Sequence, residues 1–363
     1  MKIRPRRSLT NSNLLRPRAL NSVHRSNDKL WLDKNENLDP ILMELSHEVL
    51  RNIPPLTLAT YPEAGRLYLK LAKWVGVTSE SLLLTPGSDG AIRLVFESFV
   101  EHGDKVIITA PTFAMYTVYS QMFGAKLIEL HYKPSEDGPQ LNVETIIEAV
   151  QEESPKLLCL PNPDSPTGTV LSKAELRDVL DVCELNRTVL LVDEAYHPFY
   201  EPTVVSWTSS SRNLIVARTF AKAWGNAGLR IGYAVAHPET AELLHKMRPM
   251  YETSTLAVEF MFRMLDHVKD MEQAVSRIKK AKFYFQHEMQ RIGFKVLPTE
   301  GNYLHVAFGE NGPVIHKALA DKVLYRVSFD QPCLRGYSRF SVGTKQVMRQ
   351  IVVLIKQVME NKS

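Results

Sequence analysis

Through the first two thirds of the chain, apolar runs of four to seven residues alternate with stretches of helical period. The runs LLLT (82–85), KVIITA (105–110), LLCL (157–160), TVLLVD (188–193) and NLIVART (213–219) are apolar or β-branched. Between them, AIRLVFESFV from Ala91, LNVETIIEAVQEE from Leu141 and SKAELRDVLDVCELN from Ser172 repeat their apolar positions every three or four residues, the spacing of one helix face. Unbroken apolar strands separated by helices predict an α/β fold with a parallel sheet covered on both faces, and such a sheet carries its binding residues at the carboxyl ends of its strands. After about Pro238 the pattern changes to long amphipathic helices, the longest being HVKDMEQAVSRIKKAKFYFQHEMQRIG from His267. The short strands FKVLP, NYLHVAF and YSRFSVG follow, which predicts a smaller α+β unit. The expected division is an N-terminal arm with part of a small domain over 1–40, a large domain over 41–240 and a small C-terminal domain over 241–363, with substrate held between the two domains.

Composition narrows the class. The 363 residues are 44% apolar, with 44 Lys+Arg against 40 Asp+Glu, as in a globular enzyme. Residues 1–30 carry +7, so the rest of the chain nets −3. Only that first segment attracts a polyanion, and its basic residues are not interleaved with aromatics, which argues against a nucleic-acid partner. The segment is Arg/Ser-rich and acid-poor like a transit peptide, but it has neither an apolar h-region nor a secretory cleavage site and reads as an arm. Cys159, Cys183 and Cys333 are odd in number and have no CxxC spacing, which points to a reducing cytoplasm. The longest charge-free stretch, Val106 to Ala125, contains Pro111, Gly124, Ser120 and Gln121 and reads as strand, turn and helix rather than a membrane span.

Four features at strand ends carry candidate chemistry. Lys222, in RTFAKAWGNAGLRIGY, follows an apolar strand and is flanked by Phe220, Ala221, Ala223 and Trp224, surroundings that desolvate an amine and favour its nucleophilic form. Asp193 closes TVLLVD, and a carboxylate at the end of a buried strand needs a cation or a protonated nitrogen as partner. In TPGSDGAIRLVF, Gly87, Ser88 and Asp89 open a helix, as either a plain cap or a phosphate cradle of free N–H groups. PNPDSPTG (161–168), with three prolines and a glycine, is a rigid loop directly after a strand. GxGxxG, GxxxxGK[ST], HExxH and GxSxG are absent, and no histidine pair has metal-ligand spacing.

An imine-forming lysine, a buried aspartate, a phosphate-binding helix start and a rigid loop are the parts that pyridoxal phosphate requires. The ordered motifs WLDKNENLDP, TYPEAG, TPGSDGAIRLVF, APTFAMY, PNPDSPTG, LLVDEAY, RTFAKAWGNAGLRIGY and YSRFSVGT resemble those of class I/II fold-type I aminotransferases, with most similarity to the histidinol-phosphate aminotransferases. The resemblance implies a mostly parallel sheet of the seven-stranded type sandwiched by helices, plus a smaller α+β domain. It implies that Lys222 is the Schiff-base lysine and proton shuttle, that Asp193 pairs with the pyridinium nitrogen and that Tyr196 bonds the ring hydroxyl oxygen. Phe113 would stack on the ring, and Ser165 stands where the family's donor to the ring oxygen stands. Ser88, Asp89, Thr219 and Arg230 match positions around the phosphate. Tyr61 matches a tyrosine that reaches the neighbouring subunit's site, which implies a homodimer. Arg326 and Arg339 match two anion-binding arginines of the substrate site, where the planar fork suits a carboxylate or phosphate.

Two positions depart from the family pattern. Ser165 replaces the usual asparagine and Ala221 the usual serine, each at a cost of about 0.5–1.5 kcal/mol for one hydrogen bond. The expected protein is a cytoplasmic enzyme without metal that moves an amino group between glutamate and an anionic keto or aldehyde compound, and the departures suggest a specialised relative. A pyridoxal-phosphate-dependent amino-acid-phosphate decarboxylase of the same fold is the alternative.

Overall fold

The computed structural model describes residues 6–10, 14 and 25–361, so the expected basic arm lies largely outside the described residues. A two-residue strand, β1 (Leu30–Trp31), is followed by helices α1 (Pro40–Arg51) and α2 (Gly65–Val75). Strands and helices then alternate: β2 (Leu82–Thr85), α3 (Gly87–Phe99), β3 (Lys105–Ala110), α4 (Met115–Phe123), β4 (Lys126–His131), α5 (Val143–Glu153), β5 (Leu157–Pro161), α6 (Lys173–Leu185) and β6 (Val189–Asp193). β7 (Leu214–Thr219), β8 (Gly232–Ala236) and α7 (Pro238–Met247) complete this part. The seven strands stand in the order β2-β8-β7-β6-β5-β3-β4. β3 to β7 are mutually parallel, and β8 runs antiparallel to both of its neighbours.

The expected strands are present within a residue at each end. β6 and β7 are buried at every position, as strands covered on both faces must be. Two strands had escaped the pattern. β4 lies at the sheet edge, half-exposed and carrying Lys126, Glu129 and His131, so it lacks an unbroken apolar run. β8 is the short GYAVA that begins on the last two residues of the lysine motif, and its reversal makes the sheet mixed rather than wholly parallel.

The C-terminal third contains α8 (Thr255–Met264), α9 (Val268–Ile292), β9 (Lys295–Leu297), β10 (Tyr303–Ala307), α10 (Gly312–Leu319), β11 (Val323–Leu324), β12 (Tyr337–Ser341) and α11 (Lys345–Glu360). The order β12-β10-β9 is antiparallel throughout, with α9 packed against it and α11 against α9. One pairing was invisible in the sequence: β1 runs parallel to β11, and Leu32 continues the ladder by bonding Leu324 and Ser341. This anchors residues 33–36 as a strap across the carboxyl ends of β5, β6 and β7. Among the described residues no helix is long and apolar enough to cross a membrane.

Candidate active site

The strap and those strand ends enclose a cavity of about 540 Å³. Its wall contains Ser88, Asp89, Phe113, Ser165, Asp193, Tyr196, Thr219, Lys222, Arg230 and Arg339, ten of the twelve residues singled out in the sequence. The sheet accounts for the convergence. Asp193 ends β6 and Thr219 ends β7, Ser165 lies in the loop after β5, and Ser88 opens the helix after β2.

Asp193 is 5% exposed, and burial pushes its carboxyl up to about 7 despite hydrogen bonds from the Tyr116 hydroxyl (3.0 Å) and the Ala195 amide (3.0 Å). Among the described residues no lysine, arginine or histidine nitrogen lies within 4 Å of it. Behind it, Glu194 and Arg218 form a buried ion pair at 2.7 Å, and Glu194 also binds Thr203 and the Val204 amide, which fixes the DEAY turn. Lys222 is half-buried and its Nζ donates to the Lys34 carbonyl at 2.8 Å. Of the neighbours expected to desolvate this amine, Phe220, Ala223 and Trp224 turn into the core, while Ala221 lines the cavity beside the lysine.

The start of α3 has no side-chain cap, so its first N–H groups remain open. Gly87 sits at φ +75°, and a Cβ there would stand 2.9 Å from Arg230 Nη2. Only glycine lets the guanidinium approach the helix start this closely, and Arg230 itself adopts the left-handed φ of 50° to do so. An uncapped helix terminus beside an arginine has the N–H groups and positive charge that suit an anion such as phosphate.

The rigid loop is held by Asp164, which is fully buried and accepts from Thr109 (2.6 Å), Thr112 (2.7 Å) and Tyr132 (2.9 Å). Burial raises its carboxyl to about 6, and the hydroxyl donors work against that rise. Tyr303 donates to the Asp164 carbonyl at 2.6 Å, so Ser165 is clamped on the wall. Across the cavity, Arg339 Nη2 donates to the Asp33 carbonyl at 3.0 Å, while its buried Nε has no partner.

Arg326 and Tyr61 lie outside this cavity. Arg326 pairs with Arg339 across two backbone hydrogen bonds, but its guanidinium is exposed and lies over the Phe329 ring at 4.9 Å. Tyr61 is 74% exposed and stacks on Tyr251 at 4.4 Å. The strap was missed altogether: Asp33 meets Arg339, Lys34 meets Lys222, and Asn35 Nδ2 donates to the Tyr196 hydroxyl at 2.9 Å. The motif WLDKNENLDP was visible in the sequence, but nothing local says that β11, almost three hundred residues away, holds it at the site. Tyr116 and Asp164 were missed because both sit among helix and loop residues whose role appears only on packing.

Residues 27–355 match the family described as Aminotransferase class I and II. The histidinol-phosphate aminotransferase of Caldanaerobacter subterraneus subsp. tengcongensis is 32% identical over 339 residues, covering 91% of this chain and 93% of that protein. Among solved structures, the histidinol-phosphate aminotransferase from Sinorhizobium meliloti in complex with pyridoxal-5'-phosphate has a TM-score of 0.78 at 21% identity, covering 92% of each chain. L-threonine-O-3-phosphate decarboxylase from Porphyromonas gingivalis has a TM-score of 0.76 at 21% identity, covering 91% of this chain and 99% of its own. The architecture is that of fold-type I pyridoxal-phosphate enzymes. Within it, the chain belongs to the class I and II aminotransferases, which move amino groups with pyridoxal phosphate.

The cavity fits that cofactor. A buried acid without a cation suits a protonated ring nitrogen, the uncapped helix start with Arg230 suits a phosphate, and the Lys222 amine suits an aldehyde.

Proposed function

We propose that the protein transfers an amino group between glutamate and a keto or aldehyde compound bearing a phosphate or other anion, in the manner of the histidinol-phosphate aminotransferases. The observation that carries this is the buried, cation-free Asp193 sharing a cavity with Lys222. Bound pyridoxal phosphate supplies a covalent anchor and an electron sink. Asp193 holds a proton on the ring nitrogen, which keeps that sink strong. Lys222 Nζ would hold the cofactor through its aldehyde, with loss of water, and is the amine placed to move the proton at the substrate's α carbon. Of the residues lining the cavity, Tyr196 and Ser165 would bond the ring oxygen, Phe113 would cover one ring face, and Ser88, Asp89, Thr219 and Arg230 would hold the phosphate.

Arg339, on the cavity wall with a buried Nε that has no partner, supports a carboxylate anchor. Arg326 is paired directly with Arg339 along the backbone, so it is near enough to serve as the distal anchor once its exposed side chain turns from Phe329 towards the cavity. Arg339→Lys should weaken the glutamate half-reaction by about 2–4 kcal/mol in transition-state binding, because the bidentate fork is lost. Stopped-flow absorbance of each half-reaction measures this, and equal slowing of both halves removes the two-anchor assignment. Mixing the loaded enzyme with a panel of amines tests the reaction type. Conversion of the cofactor to its amine form supports transamination, whereas carbon dioxide release from a phosphorylated amino acid without that conversion establishes the decarboxylase instead.

A homodimer completes the reading. Leu56, Leu58 and Tyr61 are 70–77% exposed, and Tyr61 stacks on Tyr251, beside the exposed Met250 in the segment after α7. An apolar surface of this kind suits burial by a second copy, which brings Tyr61 towards the partner's cavity. Leu58→Asp should cost the dimer about 2 kcal/mol or more and lower cofactor retention. Sedimentation that leaves the dimer intact removes this face from consideration. The free, buried cysteines are in keeping with a cytoplasmic location.

A further inference from the structure

Asn35 is 2% exposed and stands at φ 56°, a left-handed conformation that asparagine tolerates better than most residues. Every polar atom it carries is engaged. Its backbone N–H donates to Ser341 Oγ at 2.7 Å, Ser341 Oγ donates to Asn35 Oδ1 at 3.0 Å, and Asn35 Nδ2 donates to the Tyr196 hydroxyl at 2.9 Å. Its carbonyl accepts from Asn302 Nδ2 at 3.1 Å. The chain starts on a backbone N–H, which can only donate. Ser341 Oγ accepts that bond and passes its own proton to Asn35 Oδ1, leaving the amide nitrogen to face Tyr196. Reversing the amide would aim two donors at Ser341 Oγ and leave the serine proton without Asn35 as its acceptor.

Tyr196 is 5% exposed, packs edge-on against Tyr303 at 5.5 Å, and has one proton to give. Since its oxygen already accepts from Asn35, that proton is free for the cavity. We infer that Asn35 is a positioning residue that fixes the Tyr196 hydroxyl as a donor into the cavity, through a chain of hydrogen bonds whose direction is set by its own backbone N–H. This rests on the reading that Tyr196 donates to the ring oxygen of the cofactor. A donor there stabilises the anionic oxygen and lowers the pH at which the bound cofactor loses its proton.

The test is a pH titration of the visible absorbance of the loaded enzyme, in the natural background and in Tyr196→Phe. Asn35→Asp keeps the size and tolerates the backbone angle, but presents acceptors to Tyr196 and draws its proton away from the cavity. Asn35→Gly, which also tolerates the angle, removes the side chain and serves if the aspartate variant does not fold. With Tyr196 present, either variant should raise the midpoint by about one pH unit, the size of one lost bond to an anion. With Tyr196→Phe, neither should move it further. Equal rises in both backgrounds overturn the inference, because the residue then acts by charge or through the strap backbone. An unmoved midpoint in Asn35→Asp and Asn35→Gly, with Tyr196→Phe itself shifted, also overturns it. If Tyr196→Phe leaves the midpoint unchanged, the assignment of Tyr196 to the ring oxygen fails first, and this inference falls with it.

Discussion

Lys222→Ala is expected to reduce turnover to background, a loss of more than about 10⁴-fold, because one amine serves both as the covalent anchor and as the base that moves the substrate's α proton. The geometry leaves little room for substitution. The Lys222 Nζ sits at the cavity wall, oriented by the Lys34 carbonyl at 2.8 Å, and its apolar neighbours hold the backbone by packing into the core. Lys34 is the other lysine of the wall, but it is exposed and meets Lys222 through its backbone. Borohydride treatment of the loaded enzyme followed by peptide mass analysis separates the two. The cofactor mass should stay on the peptide containing residue 222 and vanish in the variant. A labelled peptide containing Lys34, or a label that survives in Lys222→Ala, would show that the anchor is elsewhere.

Much of the fold and site was readable because parallel strands must be continuously apolar, so a polar residue at such a strand's end stands out. Asp193 and Lys222 stood out in this way, the start of α3 by its glycines and serine, and Thr219 only through the family resemblance. What stayed hidden depends on contacts between distant segments. Asn35 carries a side chain of no particular distinction, and its importance follows from the pairing of β1 with β11 and from Ser341 at the end of β12. Tyr116 lies on a helix in the periodic pattern of a core residue, and only the packing of α4 shows its hydroxyl on Asp193. Arg326 and Arg339 were read as a pair of anion-binding arginines; they are backbone neighbours, but no local signal could tell that the Arg326 guanidinium turns over Phe329 rather than into the cavity.

Asp193→Asn should make the cofactor-free protein more stable while lowering the turnover of the loaded enzyme by roughly 10²–10³-fold or more. Among the described residues the site provides two hydrogen bonds to this carboxylate and no cation, so burial outweighs them and the folded group is pushed up from 3.8 to about 7. Between those values the folded chain holds a proton here that the unfolded chain has lost. Stability from this group therefore falls as pH rises from about 4 to 7, and the full cost, on the order of 2–4 kcal/mol, is present above 7. Asparagine suits the same surroundings, with Oδ1 accepting from the Ala195 amide and Nδ2 donating to the Tyr116 oxygen, and it carries no charge to desolvate. Melting curves of the cofactor-free proteins should coincide near pH 4 and separate at pH 8, with the variant higher. Once cofactor is bound the order should reverse, since the natural carboxylate then meets a protonated ring nitrogen and the amide cannot hold that proton. A variant that melts no higher than the natural protein at pH 8 would mean that the carboxylate is better solvated than its burial indicates. Near-normal turnover would mean that the ring nitrogen has no need of it.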